Sequence, residues 1–233
     1  KAAALANMQL EQRNETVTVA EISFAPVNAE SILKISVDGI EKEIETAATD
    51  FWTDYRAENF SGIGDTNEIS SAEELALLAY RVNSGEDMTG KYFVLTGDID
   101  LSGKKWTPIG TAEKYLENKY SGTCFNGVFD GKGHEIKGID VSESGYVSGL
   151  FGIADDSAVI KNMTVRGRIE NTNAVGYGTA AAVCAVNYGV VSGCTSYAAV
   201  LSESYAGGIV GWNGAVNKTV TSAIITECKN EGA

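Results

Sequence analysis

On an extended strand, residues two apart project to the same side, so Asp98 and Asp100 of "GDIDL" (97–101) are the carboxylates of this chain best spaced to act together. Two acids held close raise the pKa of one of them, as a general acid requires, or bind a hard cation. Asp155 and Asp156 form a second pair. The single histidine, His134, follows Asp130 in "FDGKGHEI" (129–136), where it would serve as a general base. Each of these has a structural reading that the sequence favours. Ile99 and Leu101 fill the face opposite the aspartates, as on any soluble strand. Asp130-Gly131 with Gly133 makes a tight turn, and a lone histidine with no nucleophile or orienting partner lacks the rest of a mechanism. No catalytic residue, metal ligand or cofactor is therefore assigned, and a cation held between Asp98 and Asp100 stays as an alternative.

Aromatic side chains offer a different chemistry, stacking on sugar rings or anchoring an interface. Trp106, Tyr177, Tyr188, Tyr205 and Trp212 lie in or beside predicted turns and loops and are the candidate binding residues. The competing reading has them covering corners or packing on an inserted loop. The four cysteines, Cys124, Cys184, Cys194 and Cys228, form no CxxC pair and lie in no histidine-rich stretch, which argues against zinc. They read as thiols. Cys194 and Cys228, stacked on neighbouring strands, would present parallel Cβ vectors and an awkward disulfide torsion.

The elements that must position these residues begin with composition. A chain of 233 residues, 44% hydrophobic, buries a sizeable core, and 26 glycines against two prolines imply many tight turns. A net charge of −13 without clustered Lys and Arg excludes a nucleic-acid surface. No apolar run approaches the roughly 20 residues of a membrane-crossing helix. The opening "KAAALAN" reads either as the tail of a secretory signal, with Ala4-Leu5-Ala6 as its cleavage site, or as an exposed helical turn.

The chain repeats itself. "GLFGIAD" (149–155), "AVCAVN" (182–187) and "GIVGWN" (208–213) share a small residue, two apolar residues, a small residue and a polar turn, at offsets of 33 and 26. A second column runs through "DIDL", "GIDV", "NMTV", "GCTS" and "ECKN", marked by Ile99, Ile139, Met163, Cys194 and Cys228. Units of this length with short strands and glycine corners are the signature of a solenoid. In "IKNMTVRGRI" (160–169) Met163, Val165 and Ile169 fall at odd positions, a period of two, so the strands are β and stack in parallel with equivalent side chains in ladders. The marker residues are expected to form one such ladder. Glycine serves corners of positive φ or close backbone approach.

"SAEELALLAYRVNSG" (71–85) predicts a helix over about 71–84, with Ser71 and Glu74 as a capping box and Leu75, Leu78, Ala79 and Val82 on one face. It precedes the first repeated strand and is expected to cap the solenoid. Residues 1–49 alternate apolar and polar around Asp38-Gly39, a hairpin signal, and read as a small antiparallel β element or linker before a main domain of residues 50–233.

The segments "ISSAEELALLAYRVNSG" (69–85), "GKYFVLTGDIDLSGKKWTPIG" (90–110), "FNGVFDGKGHEIKGI" (125–139), "GLFG" and "GGIVGWN" together resemble the GLUG-motif repeat proteins, bacterial surface or secreted proteins related in architecture to filamentous-haemagglutinin-type adhesins. The resemblance spans roughly residues 51–232. It implies an all-β, right-handed parallel β-helix, extracellular or at the cell surface, adhesin-like and with no catalytic residues to carry over. The expected function is a non-catalytic module that presents loops, above all 111–123 and 170–179, to a host or environmental glycan or a surface protein. The alternatives are a polysaccharide-active β-helix enzyme, which would show clustered carboxylates in a groove, and a structural spacer in a longer surface protein.

Overall fold

A computed structural model of the chain describes residues 7–12, 18–23, 31–37, 40–46, 51–61, 66–116, 119–143, 145–173, 177–214 and 223–232. The chain divides into two compact units, Lys1–Asp50 and Phe51–Ala233. The first contains two antiparallel strand pairs, Asn7–Gln12 with Thr18–Ser23 and Ser31–Val37 with Ile40–Thr46. The second pair brackets Asp38-Gly39, the predicted hairpin turn, which itself lies outside the described residues.

In the second unit, the described strands build four parallel sheets beside one antiparallel pair. Sheet A runs in order through Thr66–Ile69, Tyr92–Leu95, Val128–Asp130, Val159–Lys161, Val190–Ser192 and Ile224–Thr226. Sheet B holds Ile99–Asp100, Glu135–Glu143, Thr164–Asn171, Thr195–Ser196 and Lys229–Asn230, with Ala199–Ser202 also paired to Thr164–Asn171. Sheet C joins Val147–Ser148, Thr179–Ala181 and Tyr205–Gly207; sheet D joins Phe151–Ala154, Cys184–Asn187 and Val210–Asn213. From Val128 onward the chain enters A, B, C and D in that order on successive passes, which is the recurrence seen in the sequence. With one α-helix among the described residues, the architecture is all-β.

Alternation within each short strand decides what is buried. In sheet A the middle residues Phe93, Phe129, Ile160 and Val191 are paired in register and almost wholly buried. Each contributes about 1.5–3 kcal/mol by leaving water. Aromatic contacts carry this ladder across the interior to sheet D, with Phe151 5.2 Å from both Phe125 and Phe129. At the last strand, Ile225 takes the same inward position and is 40% exposed.

The three blocks aligned in the sequence are in register in sheet D: Phe151, Cys184 and Val210 pair, as do Ile153, Val186 and Trp212. The small residue between them answers to space. A Cβ on Gly211 would come within 2.9 Å of the Ala180 carbonyl oxygen. Corner polar groups stack as well: Asn187 Nδ2 donates to Asn213 Oδ1 at 2.8 Å while Asn187 Oδ1 accepts from Gly189 N at 3.1 Å.

The second column needs correction. Met163, Cys194 and Cys228 do share a level, each preceding one of the paired residues Thr164, Thr195 and Lys229. Ile99 instead pairs with Ile136, which pairs with Val165, while Ile139 pairs with Gly167. Ile99 and Ile136 thus lie level with Val165, two residues past Met163, and Ile139 lies further along still, beyond a register shift between Ile136 and Ile139. Gly138 makes it, at φ +71, where a Cβ would lie 2.7 Å from Ser102 N.

The helix spans Ala72–Asn83. Ser71 Oγ accepts from Glu74 N at 3.3 Å, half of the expected box. Glu74 does not return the bond to Ser71. Its carboxylate accepts from Ser70 N at 2.7 Å, Ser70 Oγ at 2.9 Å, Ser61 N at 3.0 Å and Ser61 Oγ. Burial pushes the Glu74 carboxyl up, and these bonds outweigh it and hold it below its ordinary value. Leu75, Leu78, Ala79 and Val82 are buried in the same core as Phe93 and Leu95. Gly85, at φ +84, ends the helix by donating its N–H to the Val82 carbonyl.

Candidate functional site

Sheet D contributes to two hydrophobic clusters. Phe151 and Cys184 belong to the main core, whereas Ile153, Val186 and Trp212 join a smaller one with Tyr120, Val147, Ala185 and Tyr188. Its cover is the 111–123 insertion, expected from its polar composition to be a contact loop. It is an antiparallel hairpin, Thr111–Leu116 with Lys119–Thr123, in which Tyr115 stands opposite Tyr120. Tyr120 is 1% exposed, so the hairpin packs down instead of projecting.

Hydrogen bonds fix that lid. The Tyr120 hydroxyl donates to the Tyr177 carbonyl at 3.0 Å and accepts from Thr179 Oγ1 at 2.7 Å, and Tyr120 N donates to the Tyr188 hydroxyl at 3.2 Å. Burial pushes the Tyr120 phenol up to about 12, against the Thr179 bond, and raises Tyr188 in the same direction.

Four rings form the outer edge of this cluster. Tyr177, 45% exposed, stacks on Tyr115 with centroids 4.5 Å apart and planes inclined by 25°. Tyr115 meets Trp212 edge-on at 6.3 Å, and Trp212 meets Tyr205 edge-on at 5.5 Å. Tyr205 is 37% exposed and Trp212 is half-buried. The order Tyr177, Tyr115, Trp212, Tyr205 is thus one continuous row. Trp212 is held by its register with Val186, Tyr205 by its register with Thr179, and Tyr115 by the hairpin.

Of the five aromatic residues read from the sequence, Tyr177, Tyr188, Tyr205 and Trp212 come together here. Tyr188, 4% exposed, is the floor of the cluster, out of reach of a ligand. Trp106 leaves the set altogether. It is fully buried in the main core, with its indole N–H donated to the Leu150 carbonyl at 3.1 Å and its backbone N–H to Asp140 O at 2.8 Å. The polar "SGKK" before it gives no hint of that. Tyr115 and Tyr120 were missed, and their signal was the pair of tyrosines flanking the turn in "TAEKYLENKYSGT".

The carboxylates are occupied with local structure. Asp98 Oδ1 accepts from Glu135 N at 2.9 Å and lies 3.2 Å from His134 Nδ1. Asp100 Oδ1 accepts from Ser102 N at 2.9 Å, and its other oxygen is 3.3 Å from Lys137 Nζ. The Glu135 N–H and then His134 hold Asp98 below its ordinary pKa; the Ser102 hydroxyl and N–H do the same for Asp100. Neither is raised as a paired general acid would be. His134 therefore faces Asp98 and not Asp130, whose carboxylate accepts from Lys132 N at 2.9 Å and Asn162 Nδ2 at 3.1 Å. Asp155 accepts from Asp156 N at 2.8 Å within a turn. Among the described residues, no three His, Cys, Asp or Glu side chains gather to hold a metal.

A thiol hydrogen bond between Cys194 and Cys228 holds Cys228 below its ordinary value and raises Cys194. The deeply buried Cys184 is raised by burial to about 12. No family model matches this chain, and no curated protein or solved structure matches it either.

Proposed function

We propose that residues 51–233 form a right-handed parallel β-helix of the GLUG-motif kind, with helix Ala72–Asn83 closing the end where Thr66–Ile69 is the edge strand. We further propose that it is a non-catalytic, adhesin-like module of a secreted or surface protein, and that it holds a glycan on the row Tyr177, Tyr115, Trp212, Tyr205. That row carries the reading. Its rings are partly exposed, contiguous and fixed by sheet register, so their faces and edges are pre-organised for the apolar sides of sugar rings, while the phenol and indole tips offer hydrogen bonds. The charge of −13 favours neutral over acidic glycans. The enzyme alternative gains nothing from Asp98 and Asp100, both tied to backbone N–H groups.

A printed array of neutral and acidic oligosaccharides tests this. The protein is expected to retain neutral members, and Trp212→Ala and Tyr177→Ala each to weaken retention about tenfold, the loss of roughly 1.4 kcal/mol. Retention of no glycan, or equal retention by the folded variants, overturns the reading.

A further inference from the structure

One of the two outward columns of sheet A is apolar along its length, while the other runs Val94, Asp130, Lys161, Ser192 and Thr226. The pairing register aligns Tyr92, Val128, Val159, Val190 and Ile224 in one column, alternating with the buried ladder beneath. Tyr92 and Ile224 are 50% and 48% exposed, and the three valines are half-buried. Sheet B shows the ordinary alternative. Its outward column is Glu135, Thr164, Thr195 and Lys229. A strand side that faces water is normally polar, and a contiguous apolar one marks a contact surface.

We propose that this column is a self-association surface on which a second copy of the chain packs sheet A against sheet A. Shape supports that occupant: a column whose last four residues are β-branched, at the strand spacing of about 4.8 Å, matches its own copy as the inner faces of two packed sheets do. Charge supports it as well. Asp155 and Asp156 precede Val159 at one flank, and Lys161 follows it at the other with Lys132 beside it, the two lysines sharing the single carboxylate of Asp130. A two-fold axis along the column lays valine on valine and sets the acidic flank of each copy over the lysine flank of the other. The column is narrow, so the contact belongs with the small, transient interfaces below about 1,200 Å². This surface is independent of the glycan row.

Sedimentation velocity of the full chain, from about 10 µM to about 1 mM, reads the association directly. Monomer is expected to pass to dimer over that range. Val159→Lys should weaken the dimer at least about tenfold, and Asp156→Lys about threefold, with the second loss growing as salt is lowered. Thr164→Lys, the same charge on sheet B, should leave it unchanged, and circular dichroism confirms that each variant is folded. A monomer at every concentration overturns the proposal, whether the column stays bare or is covered by another part of the same chain. So does equal weakening by Val159→Lys and Thr164→Lys.

Discussion

Sheets A and D both turn apolar side chains away from the main core, and the molecule treats them differently. On sheet D, Val186 and Ile153 are completely buried because the 111–123 hairpin lies over them and seats Tyr120 among them. On sheet A, the column from Tyr92 to Ile224 has no such lid among the described residues of this unit and keeps partial exposure. The contrast separates two meanings of an outward hydrophobe. Where the chain supplies its own cover, the outward residues are a second core, and only its rim keeps partial exposure. That rim is aromatic with polar tips, suited to a hydrated ligand. The open column is aliphatic, suited to a dry contact.

The largest expected effect breaks the contrast if it fails. Tyr120→Ala should cost about 3–4 kcal/mol in urea unfolding, as for other large buried rings, whereas Val159→Ala should cost less than about 0.5 kcal/mol. Comparable losses would mean that the two outward sides are not differently covered. Next in size is Tyr120→Phe. It keeps the ring and removes the hydroxyl, leaving the Thr179 hydroxyl and the Tyr177 carbonyl short of a partner, for about 1–2 kcal/mol.

The same phenol gives a pH dependence. Its folded pKa, raised by burial to about 12, lies above the ordinary value of about 10. Above pH 10 the unfolded chain loses this proton while the folded one keeps it, so its stabilisation, complete below 10, is lost as pH rises towards 12. Tyr120→Phe should make the alkaline decline in unfolding free energy shallower, with Tyr188 supplying a remainder of the same sign. An unchanged decline would place the lid's phenol in water. The smallest effect concerns labelling. Cys228 is half-buried and held below its ordinary value by the Cys194 bond, whereas Cys184 is buried and raised, so iodoacetamide at neutral pH should modify Cys228 within the folded protein and reach Cys184 only on unfolding, as mass spectrometry of the peptides would show.

How much of this was legible follows from what each feature depends on. The recurrence of small-apolar-small blocks was readable because stacked strands repeat the same local demand, and the register of Phe151, Cys184 and Val210 is the one their spacing implies. The helix was readable from local signals, Ser71 and the 3.6-residue spacing, but the destination of the Glu74 carboxylate was not, since Ser61 is distant in the chain. Ile99 and Ile139 were misplaced because apolar residues recur at every second position of these strands, so an alignment two residues off repeats the same pattern, and the extra residue at Gly138 moves Ile139 by one more. The aromatic row was half legible. Tyrosines near corners were visible, but that they share one cluster, and that Trp106 lies inside the core, depends on long-range packing that no window of sequence contains.

The central claim is that each outward apolar face of this unit has a specific cover, the chain's own hairpin on sheet D and a second copy on sheet A. Methyl NMR with a soluble paramagnetic agent measures that cover residue by residue. The Val186 methyls should be shielded at every protein concentration, while the Val159 methyls should relax strongly in dilute protein and become shielded as concentration rises. Val159 methyls that are shielded at the lowest concentration, or that stay exposed at the highest, would contradict it.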